Sequence, residues 1–147
     1  MTTNVKFIRL LEGAVTPVYS SEEAAGADLC ACLEKEVAIA PGQTFLVPTG
    51  LAMRIPKGLV GLVFARSGLA TKCGLAPANK VGVIDSDYRG QIMVPLHNHS
   101  NETVTVTPGE RIAQFVLVPY LTAEFEETDS LDDTARGTGG FGSTGSH

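Results

Sequence analysis

Between Phe7 and Pro119 the apolar residues come in short runs, each cut off by Pro, Gly, Asn or Ser, and almost no stretch carries the spacing of a helical stripe. Val37-Ala38-Ile39 leads into Pro41-Gly42, Thr44-Phe45-Leu46-Val47 into Pro48-Thr49-Gly50, and Leu51-Ala52-Met53-Arg54-Ile55 into Pro56-Lys57-Gly58. Each run closes on a turn former. Leu59 to Phe64, Gln91 to Leu96, Thr103 to Val106 and Ile112 to Val118 continue the series, with Asn98-His99-Ser100-Asn101 and Thr107-Pro108-Gly109-Glu110 as turns between them. Strands this short and this regularly spaced predict an all-β fold, a jelly-roll-like sandwich or barrel. One helix is expected, Ser67 to Cys73, with Ser67 as N-cap and Gly74 as stop.

The stretch Val81 to Gln91 drives an apolar strand into a carboxylate and then turns. Val81, Val83 and Ile84 suit a pleated, buried surface, Asp85-Ser86-Asp87 and Gly90 are turn formers, and Gln91-Ile92-Met93-Val94 reads as the returning arm of a hairpin. An Asp where a buried strand meets a loop is expected to be partly desolvated, which would favour Asp85 as a general base. The alternative is an Asx turn, in which Asp85 or Asp87 only accepts backbone N–H groups.

After Leu121 the chain changes character. Glu124, Glu126, Glu127, Asp129, Asp132 and Asp133 form an acidic stretch, and glycine dominates from Arg136 to Gly145. A β domain is therefore expected over residues 1–123, and residues 124–147 as an acidic linker and flexible Gly-rich C-terminal arm, since that end cannot build a core of its own. Gly137 to Gly142 formally spells G-x-G-x-x-G, but a dinucleotide fingerprint needs a strand before it and a helix after it. Two readings of the arm stay open: a plain Gly/Ser tail, or a loop whose backbone N–H groups, arginine and lone aromatic wrap an anionic ligand carrying a base.

Composition narrows the function classes. A chain of 147 residues, 44% hydrophobic and 18% charged, fits one domain of a soluble protein. No apolar run approaches the ~18 residues needed to cross a bilayer, so no membrane partner is expected. A net charge of −5 with no basic cluster argues against polymeric nucleic acid, though a small polyanion could be held by a few arginines and amides. Cys30, Cys32 and Cys73 lack zinc spacing and are expected to be reduced; with no signal-peptide pattern, the chain reads as cytoplasmic.

Four further groups carry possible chemistry. Arg66 and Ser67 stand where a strand runs into the short helix, either as an anion site or as a surface arginine and a cap. Gln114, on the face expected to hold Ile112, is either a satisfied core amide or a ligand contact. Asp28, in the small-residue strand Ala25-Gly26-Ala27-Asp28-Leu29, would serve a metal's outer shell or pair with an arginine. His97 and His99 have metal-like spacing but no nearby third ligand, and read as surface histidines.

Taken in order, Ala25-Gly26-Ala27-Asp28-Leu29, Ala65-Arg66-Ser67-Gly68, Gly82 to Gly90, Gly109-Glu110-Arg111-Ile112-Ala113-Gln114 and Arg136 to Gly145 closely resemble the five motifs of the homotrimeric dUTP pyrophosphatases (dUTPases), a β-clip, jelly-roll family. The resemblance covers essentially the whole chain. It implies hydrolysis of dUTP to dUMP and pyrophosphate with Mg²⁺, limiting uracil in DNA and supplying dUMP for thymidylate synthesis, in a homotrimer with shared active sites. By motif, Asp85 would activate the water that attacks the α-phosphorus. Tyr88 would pack under the deoxyribose, and Asn79 would read the uracil edge with backbone groups of the Gly82 stretch. Arg66, Ser67, Gly68 and Gln114 would contact phosphates, and Asp28 would hold magnesium-bound waters. Arg136, Phe141, Gly142, Ser143 and Thr144 would close over the substrate, Phe141 stacking on the base.

Two alternatives are weighed against it. A dCTP deaminase of the same fold would need a glutamate near the base, and the stretch Val81 to Gln91 has none. A non-catalytic jelly-roll binding module leaves Asp85 and the arm unexplained.

Overall fold

The computed structural model describes residues 2–140. Its elements are β1 (Lys6–Arg9), β2 (Val18–Tyr19), β3 (Ala27–Cys30), β4 (Val37–Ile39), β5 (Thr44–Pro48), β6 (Leu51–Arg54), β7 (Leu59–Ala65), α1 (Ser67–Cys73), β8 (Leu75–Pro77), β9 (Gly82–Ile84), β10 (Met93–Asn98), β11 (Val104–Val106) and β12 (Arg111–Pro119). The expected all-β architecture with one short helix is what forms. Periodicity did not signal β2 or β8, which are too short to show an alternation.

Strand β12 is the spine of a five-stranded antiparallel sheet ordered β2-β3-β12-β7-β9. A second sheet runs β5-β10-β8, and β1-β6 and β11-β4 form two-stranded ladders. Leu29 of β3, Val63 of β7 and Ile112 and Phe115 of β12 share one buried cluster with Val47 of β5, Leu75 of β8 and Val94 and Leu96 of β10. The core thus lies between the two larger sheets. Strand β10 alternates strictly, burying Val94, Leu96 and Asn98 on one face.

Asn98 was expected in a turn but ends this strand, fully buried, and its amide is saturated. Nδ2 donates to the carbonyls of Ile39 (2.8 Å) and Glu102 (2.7 Å), while Oδ1 accepts from the N–H (2.9 Å) and hydroxyl (2.7 Å) of Ser100. That is how a polar side chain stands in the core without an orphaned group.

Three local expectations are corrected. The Val81–Gln91 stretch does not close a hairpin: β9 pairs with β7, while β10 pairs with β5 and β8. The returning arm is drawn away because the Ile92 N–H donates to the Leu51 carbonyl (2.8 Å) and its own carbonyl accepts the Thr49 hydroxyl (2.7 Å). Helix α1 is capped by Arg66 in extended conformation with no side-chain cap bond, so Ser67 is its first helical residue. The predicted stop holds: Gly74 is left-handed, φ 71°, and a Cβ there would lie 2.9 Å from the Ser100 backbone nitrogen. In β12 the register shifts between Arg111 and Ala113, so simple alternation through Ile112 to Gln114 is broken by a bulge.

Candidate functional site

The end of β7 meets β3 and β12 at a cluster of charge. Register sets Gln114 opposite Asp28 on one side and opposite Phe64 on the other. Asp28 is buried, flanked by Ala27 and Leu29, and accepts from two arginines. Arg66 Nε donates to Oδ1 at 2.9 Å and Arg111 Nη1 to Oδ2 at 3.2 Å. Of the two roles open to Asp28, the arginine partnership is the one this chain makes. Gln114 Nε2 donates to the Ala65 carbonyl at 2.8 Å, leaving Oε1 over Gly26. The amide is therefore satisfied by half, with its oxygen still able to accept.

Arg66, Gly68, Lys72, Gly109, Glu110 and Arg111 line a cavity of about 420 Å³ beside this cluster. Burial, and next the Asp28 carboxylate, push the Cys30 thiol above its ordinary value, with Arg111 and Arg66 pulling the other way. The raised value disfavours the thiolate, the nucleophilic form. The cavity can hold an anion, through a guanidinium fork and backbone N–H groups.

The second group lies on the loop after β9. Asp85 is exposed, so the desolvation expected at a strand end is not supplied by this chain alone. The loop is shaped by Tyr88, whose N–H donates to the Asp85 carbonyl (3.2 Å) and whose hydroxyl donates to the Gln91 carbonyl (2.9 Å), and by Arg89, which donates to the carbonyls of Ser86 and Tyr88 (both 2.8 Å). Among the described residues neither the Asp85 nor the Asp87 carboxylate accepts a hydrogen bond, which sets aside the Asx-turn alternative. The Tyr88 ring folds back across Gly90, where any side chain would strike it.

Asp85, Ser86, Asp87 and Arg89 line a cavity of about 590 Å³ with Arg54 and Lys57. Ahead of β9, Asn79 is exposed and the next residue, Lys80, is left-handed at φ 65°. A non-glycine residue held there costs on the order of 1 kcal/mol or more and marks a constrained turn. A Cβ on Gly82 would lie 3.2 Å from Val63 Cβ and 3.5 Å from Asn79 Nδ2, so glycine keeps space open beside that amide.

The two groups do not meet within one chain. Ile84 pairs with Gly61, which sets Asp85 beside Val60, and Arg66, just past the end of β7, lies six positions further on, so Asp85 and Arg66 are separated by roughly 20 Å of backbone at about 3.3 Å per residue. Arg136 is exposed and turns back on itself, its Nε donating to the Gly139 carbonyl at 2.8 Å. Phe141, Gly142, Ser143 and Thr144 lie outside the described residues.

His97 is partly buried, and its Nδ1 hydrogen-bonds the Thr44 hydroxyl at 2.8 Å; His99 is exposed, with the two rings 4.4 Å apart. Among the described residues no three His, Cys, Asp or Glu side chains gather as a metal cage. Nor is any helix long and apolar enough to cross a membrane. The role of Arg111 was not legible, because the bulge that aims it at Asp28 leaves no mark in the residue pattern.

Residues 13–145 match a family model described as dUTPase. The chain is 52% identical over 142 residues to the deoxyuridine 5'-triphosphate nucleotidohydrolase of Desulfitobacterium hafniense, covering 96% of this chain and 94% of that one. It is 52% identical over 134 residues to the enzyme of the same name from Neisseria meningitidis serogroup B, covering 90% and 89%. Among solved structures, a mutant dUTPase of Staphylococcus bacteriophage 80alpha with dUpNHpp superposes with a TM-score of 0.86 at 27% identity, covering 98% and 99%. A mutant dUTPase of phage phi11 of S. aureus, whose structure concerns the coordination of a structural Mg(II) ion, superposes at 0.78 with 25% identity, covering 87% and 98%.

Proposed function

This chain belongs to the dUTPase family, and from that premise we propose how its residues divide the work. It is a dUTP diphosphatase, hydrolysing dUTP to dUMP. The observation that carries the assignment of roles is the separation of an exposed loop whose two carboxylates, Asp85 and Asp87, accept no hydrogen bond among the described residues from a buried carboxylate clamped by two guanidiniums, Asp28; the motif resemblance selects Asp85 of the pair.

Asp85 takes a proton from water. The resulting hydroxide adds to the α-phosphorus as the bond to the α,β-bridging oxygen breaks, and the electron pair leaves with pyrophosphate. Arg66, Ser67, Gly68 and Gln114 receive the phosphates, so donors already in place meet the charge that moves to the leaving group. Tyr88 packs against the deoxyribose, and Asn79 with the backbone at Gly82 reads the uracil edge. Arg136, Phe141, Gly142, Ser143 and Thr144 close over the nucleotide and exclude bulk water.

Mg²⁺ enters as part of the substrate. Both oxygens of Asp28 already accept from arginines, so this donor set does not fit direct coordination; it fits an ion carried on the triphosphate, whose waters Asp28 can receive through its remaining lone pairs. The metal supplies charge neutralisation on the phosphates.

The site is shared in a homotrimer. A general base must stand within hydrogen-bond reach of its water, and the roughly 20 Å of backbone between Asp85 and Arg66 favours supplying the two from different chains. As the family resemblance implies, a site would take the Asp85 loop of one chain, the Arg66 and Gln114 group of a second, and the arm of a third. Three free cysteines are in keeping with work in a reducing compartment, the cytoplasm.

Offering dUTP and dCTP separately and measuring pyrophosphate and ammonia tests the reading. Pyrophosphate from dUTP, without ammonia from dCTP, is expected. Ammonia release from dCTP would turn the assignment to a deaminase, and silence toward both would leave a binding module.

A further inference from the structure

We propose that Arg111 gives the phosphate cavity its net positive charge, by offsetting the buried carboxylate that holds Arg66 in place. The inference rests on the reading of that cavity as the triphosphate site. Arg66 spends its Nε on Asp28, which leaves its terminal amino groups directed onward, one of them 3.4 Å from the Arg111 carbonyl. The arrangement fixes the guanidinium but has a cost: a carboxylate with only 9% of its side chain exposed sits beside the place where a polyanion must bind. One arginine against one carboxylate leaves no surplus of charge to attract it.

Arg111 supplies the surplus. Its Nη1 takes the other Asp28 oxygen, while 53% of its side chain stays exposed, so the rest of the fork lines the cavity. The remaining charged groups there are Lys72 and Glu110, and Glu110 is turned toward its own loop, accepting the N–H (2.8 Å) and hydroxyl (3.3 Å) of Thr107. The cavity and its clamp therefore hold three cations, Arg66, Lys72 and Arg111, against two carboxylates, Asp28 and Glu110. Without Arg111 they are neutral. In a chain of net charge −5, that difference decides whether this face draws in a triphosphate or is indifferent to it.

Arg111 thus acts by offsetting the Asp28 charge, and its effect depends on that charge. The test is a double-mutant cycle on the purified oligomer, reading the Kd for non-hydrolysable dUpNHpp together with kcat and KM for dUTP. Arg111→Ala is expected to raise the Kd by about tenfold or more, with a larger effect on KM than on kcat. Removing the opposing charge as well, in Asp28→Asn/Arg111→Ala, restores the surplus, so Arg111→Ala should cost less than about threefold when made on the Asp28→Asn background.

Arg111→Lys, which keeps the charge, should bind within a few-fold of the parent, and Arg111→Gln should not; this pair carries the test if Arg111→Ala does not fold. Equal losses from Arg111→Ala on both backgrounds, or no loss on either, would overturn the proposal, as would equal binding by the Lys and Gln variants. A parent enzyme that neither binds dUpNHpp nor releases pyrophosphate would sink the nucleotide reading itself, and this proposal with it.

Discussion

Gly26 and Gln114 approach so closely that a Cβ on Gly26 would lie 2.5 Å from Oε1 and 3.2 Å from both Cβ and Cδ of Gln114. The glycine just ahead of β3 thus sets where the amide of β12 points. Gly26→Ala must push that amide off the Ala65 carbonyl it now meets at 2.8 Å. We predict a fall in kcat/KM of about tenfold or more, with a smaller change in melting temperature because the displaced group is a side chain. Unaltered kcat/KM in a folded Gly26→Ala variant would show that Gln114 contributes nothing to turnover.

Asp85→Asn should retain the fold and bind dUpNHpp while lowering kcat by at least ~10². The side chain is exposed and bonded to nothing among the described residues, so its removal leaves no orphaned partner to destabilise the chain. Turnover near that of the parent enzyme would take the role of base away from Asp85.

Tyr88→Ala should weaken the preference for dUTP over UTP. A ring packed against the deoxyribose, as proposed, would reject a 2′-hydroxyl by contact and by leaving it unpaired. Tyr88→Phe loses the hydroxyl's bond to Gln91 but keeps the ring over Gly90, so it should keep most of the discrimination. The ratio of kcat/KM for the two nucleotides is the measurement, and an unchanged ratio in Tyr88→Ala would make the ring structural.

Shared sites can be tested by mixing. Asp85→Asn with its arm intact, and a truncation after Ala135 with Asp85 intact, should each form an inactive trimer when refolded alone. Refolded together they should regain partial activity, since some sites combine a good Asp85 from one chain with a good arm from another. Verified heterotrimers no more active than the parents would mean that each site is built within a single chain.

Asn98→Ala should cost about 2–3 kcal/mol of stability, because it strips partners from the Ile39 and Glu102 carbonyls and from Ser100 in a buried setting. Thermal unfolding gives the answer. A melting temperature within a degree or two of the parent would show that water or a rearranged turn satisfies those groups.

Taken by itself, the sequence determined that the chain is built of short strands with one brief helix, and it offered candidate residues for the chemistry. Hydrophobic alternation and turn formers are local properties, readable within a window of a few residues. Asp28, Arg66, Asp85 and Gln114 stood out as polar residues beside apolar or small-residue stretches, whereas Tyr88 was named only through the motif resemblance. Only the tertiary structure decided which strands pair, sending β9 to β7 and β10 to β5 and β8 where adjacency predicted a hairpin. It also decided that Asp28 would be held by Arg66 and by Arg111, 38 and 83 residues away, and that Asp85 would stand apart from both. Those outcomes depend on which buried carbonyls need donors and which charges need partners once distant segments are brought together, and no local pattern records them.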